Sequence, residues 1–209
     1  MWGALIANKE SRREMSDNII ISMWADRVRI LERIKVTKLD SYDYLQKRLS
    51  KTNVAADLEY QSKYIGFYVM GRRPAGWYSC YFNLLEQQKK NRRLLFEETL
   101  RNIHSSTRRV EPSFSSKLVA TVRPEMPVYD SLVLANLNIK RPRSYVPADI
   151  RLTDALRAYE EIQTFHEDLL RYKFFQKLKS EFDRRFSQFS HFTDAKKLDI
   201  LLWQWRDRR

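Results

Sequence analysis

Residues 53–70 read NVAADLEYQSKYIGFYVM, and the last seven, YIGFYVM, are residue types that favour strands. A half-buried strand alternates apolar and polar side chains between turn signals, and this stretch does neither. The spacing predicts a buried helix, opened by a polar cap candidate and stopped at Gly71. The same reasoning makes VATV (119–122) part of a helix. With both read as helix no strand remains, so the predicted fold class is all-α: a compact multi-helix domain around a central helix-turn-helix unit. Composition agrees, since four glycines and six prolines in 209 residues leave little room for long loops, while 43% hydrophobic and 13% aromatic residues supply a core.

Working outward, residues 18–34 place Ile20, Trp24, Arg27, Val28, Leu31 and Ile34 on one mostly apolar stripe at helical spacing. Residues 39–51 form a further predicted helix. A turn at Pro74 and Gly76 opens a pair of helices broken near Asn91, and the tail HSSTRRVEPS (104–113) is loop-like by composition. A helix over 114–122, a turn over 123–127 and a helix over 131–137 follow. NIKRPRSYVP (138–147) is linker-like, 152–186 is one long or interrupted helix, and 193–207 is a last helix capped by Thr193. The expected organisation is a single domain, 1–209, with sub-lobes 1–70 plus 150–209, and 71–149.

Charge narrows the partners. The net charge is +13, and residues 51–110 hold eleven Lys and Arg against five Asp and Glu, nearly half of the excess. A soluble domain of this kind is expected to bind a polyanion, most often nucleic acid. A lone cysteine, Cys80, excludes an internal disulfide, and with His104, His166 and His191 it matches no zinc spacing. No metal and no cofactor are therefore expected. The N-terminal MWGALIANKESRRE fits neither a signal peptide nor a membrane span. The expectation is a monomer of a reducing compartment, cytoplasmic and, in a bacterium, nucleoid-associated, with no membrane partner.

Chemistry concentrates in SSKLVATVRPEMPVYDSLVLANL (115–137). Asp130 stands where the helix over 131–137 begins, which suits a cap. The same carboxylate, converging with Lys117, suits the cleavage of a glycosidic bond, because an oxocarbenium-like sugar is stabilised by a nearby anion and attacked by an activated water or amine. Glu111 is a further candidate acid or base. Arg72, Arg73, Arg92, Arg93, Arg108 and Arg109, with Lys140, Arg141 and Arg143, are candidate phosphate contacts. Among them lie Tyr68, Trp77 and Tyr78. These read either as core or, most of all for Trp77 in its turn, as faces on which a flipped base stacks.

Lys117, the proline-containing turn with Pro127, and VYDSLV (128–133) resemble the catalytic core of the helix-hairpin-helix DNA glycosylase superfamily, over residues 108–137. The resemblance implies that Asp130 corresponds to the superfamily's catalytic aspartate and Lys117 to the lysine of its bifunctional members. Where those proteins carry a glycine-rich hairpin that binds a DNA phosphate, this chain has RRVEPSFSSK, so Ser115 and Ser116 take the place of the phosphate contacts. The implied partner is double-stranded DNA with a damaged or modified base, and the implied activity is excision of that base, in repair or as antiviral defence against modified phage DNA. The alternative reading is a non-catalytic helical nucleic-acid-binding protein. A third is a helical interaction module whose charge serves solubility.

Overall fold

The computed structural model describes residues 2–141, 143 and 145–205, with side chains from residue 12 onward. It is all-α: the described residues form eleven α-helices and one 3-10 turn, and no strand. The chain divides into two compact units, Met1–Ile34, Asp130–Arg141 and Arg157–Arg209 in unit 1, and Lys35–Tyr129 with Pro142–Leu156 in unit 2. No helix among the described residues is long and apolar enough to cross a membrane.

Unit 2 contains α3 (Val36–Leu49), α4 (Leu58–Phe67), α5 (Ala75–Gln88), α6 (Phe96–Thr107), α7 (Pro112–Val122) and the start of α9 (Ala148–Arg171). Of the strand-like residues 64–70 the first four are helical, as the missing alternation predicts, and the last three lie beyond α4, which is shorter at both ends than 53–70. At its start the Asp57 carboxylate accepts from the Tyr60 amide at 2.9 Å, the bond of an N-cap. That amide, then the Thr52 hydroxyl, holds the Asp57 carboxyl below its ordinary value despite some desolvation. At the other end Val69 adopts φ 49° and the Met70 amide reaches back to the Ile65 carbonyl at 3.0 Å. This is a Schellman turn with valine where glycine is usual, and it ends the helix before Gly71.

A β-branched residue in that left-handed conformation is strained by about 1–2 kcal/mol, and Val69 is 63% exposed, so its side chain offsets little by burial. Val69→Gly relieves the strain and gives back part in unfolded-state entropy. The expected result is an unfolding free energy raised by about 0.5–1 kcal/mol, read from the urea midpoint. A lower midpoint would remove the strain argument.

Tyr64 is the centre of the unit 2 core: its ring lies 4.8 Å from Tyr68 and meets Phe82 edge-on at 5.5 Å. VATV sits in α7, whose side chains from Phe114 to Val122 are all buried, which explains why no amphipathic pattern marks it. Pro112 occupies the first turn of α7, where its missing N–H costs nothing. The break near Asn91 falls where the sequence puts it, whereas of the turn expected at Pro74 and Gly76 only Pro74 precedes α5 and Gly76 lies within its first turn. The tail read as loop is instead α6 up to Thr107, then a short loop through Glu111.

Unit 1 contains α1 (Trp2–Ala25), α2 (Arg27–Arg33), α8 (Ser131–Asn136), the rest of α9, α10 (Lys173–Arg185), a 3-10 turn (Ser187–Phe189) and α11 (Asp194–Gln204). The helix expected over 18–34 is broken at Asp26, whose carboxylate takes Arg29 at 2.8 Å and the Trp205 indole N–H at 3.2 Å. Tyr172 interrupts the long C-terminal helix, and Thr193 caps α11 by accepting from the Lys196 amide at 3.1 Å. α11 ends at Gln204; the part of the expected helix after residue 205 lies outside the described residues, as do positions 142 and 144 of the linker-like stretch.

Candidate nucleic-acid interface

Unit 2 gathers its arginines around one acid. Glu111, just before α7, accepts both ends of the Arg73 fork, Nε at 3.0 Å to Oε1 and Nη2 at 3.1 Å to Oε2, and also Arg109 Nε at 3.1 Å. Bidentate charge-assisted pairs are the geometrically strong ones, and the Glu111 side chain is only 12% exposed. The Arg73 guanidinium also lies 4.8 Å from the Phe114 ring centroid. Glu111 therefore ties the loop before α5 to the loop before α7. Arg72 and Arg108, chain neighbours of the tied pair, are brought to the same corner, and both are exposed. Arg151 of α9 adds a contact to the Val110 carbonyl at 3.5 Å. Neither Arg72 nor Arg108 has an ion pair among the described residues, and the one carboxylate holds two guanidiniums, those of Arg73 and Arg109.

The remaining predicted phosphate contacts are dispersed. Arg92 donates to the Val122 carbonyl at 3.1 Å, Arg93 is exposed, and Arg143 lies 3.6 Å from Asp154. In unit 1, Lys140 and Arg141 are exposed, and Arg141 reaches the Ser131 carbonyl at 3.4 Å.

The serines expected to replace the glycine-rich hairpin are placed otherwise. Ser115 and Ser116 are both fully buried; the first donates to the Glu111 carbonyl at 2.9 Å, the second to the Ser113 carbonyl at 3.0 Å while accepting from the Tyr129 amide at 2.8 Å. Their hydroxyls close the turns of α7 instead of facing a phosphate. Lys117 is likewise buried, at 6% exposure, with Nζ 5.4 Å from the Phe114 ring centroid.

The aromatic candidates belong to the core. Trp77 is buried, stacked on Tyr81 at 5.2 Å, and the cleft beside it holds about 20 Å³, room for one water and not for a base. The turn that was expected to present it is instead the first turn of α5, whose inner face Trp77 occupies. Tyr68 is buried too; Tyr78 is half-buried and donates to the Gly71 carbonyl at 2.8 Å.

What sequence reasoning missed is a hydroxyl network inside unit 2. Thr121 Oγ1 lies 2.7 Å from the Lys117 carbonyl, 3.0 Å from Tyr68 and 3.2 Å from Tyr64, which meets Tyr81 at 2.8 Å. One assignment uses every hydrogen: Thr121 donates to Lys117, Tyr68 to Thr121, Tyr64 to Tyr81, and Tyr81 to the Phe114 carbonyl at 3.0 Å. Burial, then the adjoining Tyr81, pushes the Tyr64 hydroxyl well above its ordinary pKa, and burial does the same for Tyr81. Both are structural donors, not acids.

Asp130 begins α8 in unit 1. Its Oδ1 accepts from the Leu132 amide at 2.8 Å, so it is the helix cap that its position suggests. The residue is half-exposed, and its second oxygen has no hydrogen bond among the described residues. Also in unit 1, His166 Nε2 lies 3.3 Å from Asp199, a pairing no sequence spacing announces. No three His, Cys, Asp or Glu side chains among the described residues are grouped to hold a metal ion. The chain matches no protein-family model, and it has no significant match among curated proteins or among solved structures.

Proposed function

We propose that this chain binds nucleic acid through the phosphate backbone, with the arginine corner around Glu111 as its principal contact. The observation that carries the reading is that Arg73 and Arg109 are held on a single carboxylate, with the exposed Arg72 and Arg108 next to them in the chain and Arg151 on the Val110 carbonyl, in a protein of net charge +13. Guanidiniums match phosphate oxygens in pairs, and each phosphate neutralised releases condensed counterions. The rings beside Arg73, Phe114 and Trp77, are buried and offer no face to a base, so affinity rests on charge and is indifferent to sequence.

Titrating a short duplex across a salt series tests this. Four phosphate contacts correspond to a slope of log affinity against log salt of about −4. The variant Arg72→Gln with Arg108→Asn removes two exposed cations without touching the Glu111 pairs; asparagine suits position 108, which has φ 58°. The expected slope is flatter by about 2. Binding that ignores salt, or a variant with the parent's slope, overturns the reading.

A second reading retains glycosylase chemistry on the resemblance over 108–137, and one observation favours it: the half-exposed Asp130 has one carboxylate oxygen left over from capping. Asp130→Asn separates cap from charge, because asparagine caps as well as aspartate. If the parent protein makes alkali-labile sites in duplexes carrying damaged or modified bases, this variant should lose about 100-fold or more in rate with stability unchanged. A parent that never makes them ends this reading.

A further inference from the structure

Unit 1 holds a second concentration of cations, remote in sequence from the Glu111 corner. An open groove of about 360 Å³ is lined by Arg12 and Arg13 of α1 and by Asp168, Arg171, Tyr172 and Lys173 where α9 gives way to α10. Four cations line the groove with the carboxylate of Asp168, and a second carboxylate, Asp17, lies beside the Tyr172 hydroxyl, whose pKa it helps burial to raise. Asp168 does not satisfy the cations: Arg12 Nε is 3.5 Å from Asp168 Oδ2 and is buried without a hydrogen-bond partner, and the exposed Arg171 is 4.0 Å from the exposed Glu167. Tyr172 donates to the Arg13 carbonyl at 3.2 Å, which fixes the α1 backbone against the helix junction. Tyr172 also offers no side-chain cap to α10, so the positive end of that thirteen-residue helix opens at the same place.

We infer that this groove is a binding site for a multiply charged phosphate group. Three guanidiniums supply planar forks that pair with phosphate oxygens, and an ammonium supplies a point charge. An anion seated there gives the buried Arg12 N–H the acceptor it lacks. A singly charged carboxylate has one pair of oxygens to share among three guanidiniums, where a phosphate group has more. The phosphate belongs either to a free polyphosphate or to a nucleic-acid backbone, and the two sources separate experimentally.

Inorganic pyrophosphate is titrated calorimetrically into the full chain, and a short duplex is titrated in parallel by fluorescence anisotropy. The probe variant is Arg171→Gln with Lys173→Gln, two exposed positions whose loss leaves the core intact; Arg12→Gln is a second, and Asp168→Asn a sign-reversed control. If the phosphate is free, pyrophosphate binds the parent, weakens about tenfold in each cation variant and tightens in Asp168→Asn, following the net charge of the groove. If it belongs to a backbone, pyrophosphate does not bind, but duplex affinity drops by a similar factor in the cation variants and rises in Asp168→Asn. Unchanged binding of both probes in the cation variants overturns the inference. Because these substitutions spare the Glu111 corner, that outcome leaves the proposed backbone-binding function standing, and failure of Arg72→Gln with Arg108→Asn leaves this groove standing.

Discussion

Asp183→Ala lowers the unfolding free energy by about 3 kcal/mol, whereas Lys197→Met, at the other end of the same ion pair, changes it by about 1 kcal/mol or less. The asymmetry follows from which charge can hydrate alone. Lys197 Nζ is held by Asp183 at 2.6 Å and by the Ser190 carbonyl at 2.7 Å, and its side chain is 1% exposed, while that of Asp183 is 28% exposed. Removing the acid strands an ammonium in the packing of unit 1 with one neutral acceptor. Removing the amine leaves a carboxylate whose Oδ1 is buried but whose side chain as a whole still meets water, and methionine fills the vacated volume beside Phe182, whose ring centroid is 6.0 Å from Nζ. Urea unfolding of both variants at neutral pH decides it. Equal losses would mean that the contact, not the stranded charge, carries the energy.

Glu111→Gln moves two observables in opposite directions. Stability falls by about 2–3 kcal/mol, because the Arg73 fork and Arg109 exchange an ionised acceptor for a neutral amide in a site where the acid is 12% and Arg73 21% exposed. Affinity for a duplex rises and the salt slope steepens by about 1–2, since two guanidiniums lose the carboxylate that competed with phosphate. An acid or base of a chemical step would respond otherwise: turnover would vanish and the slope would stay where it was. Measuring unfolding and the salt series on the same preparation separates these roles. A weaker complex with an unchanged slope would refute the view of Glu111 as the counter-charge of the corner.

The legible parts of the fold were those written in local chemistry. Pro74 and Gly76 mark the start of α5, and Asp130 and Thr193 sit at the caps where their side chains accept amides. The missing alternation around Tyr64 identified helix in spite of β-favourable residues. What stayed hidden depends on partners far along the chain. Asp26 breaks a strongly periodic helix while taking a bond from Trp205, 179 residues away. Glu111 reads as surface charge until Arg73, 38 residues upstream, is seen to grip it. On α11 the charged Lys196, Lys197 and Asp199 are all buried, which no local pattern in the sequence marks. Ser115 and Ser116 stand where the resemblance puts a phosphate-binding hairpin, but α7 has no exposed side for them.

That enclosure of α7 bears on how freely the chain can vary. From Phe114 to Val122 every side chain is buried, including a lysine and two serines and a threonine whose hydroxyls are committed to neighbours inside the unit. Such a segment has no neutral position: a larger residue overpacks, a smaller one leaves a void, and a one-residue insertion rotates every hydroxyl away from its acceptor. In a saturating library α7 would stand out as the intolerant stretch even if it never touched a ligand, so sensitivity there reports on architecture, and the residues expected to report on the proposed phosphate binding are the exposed Arg72 and Arg108.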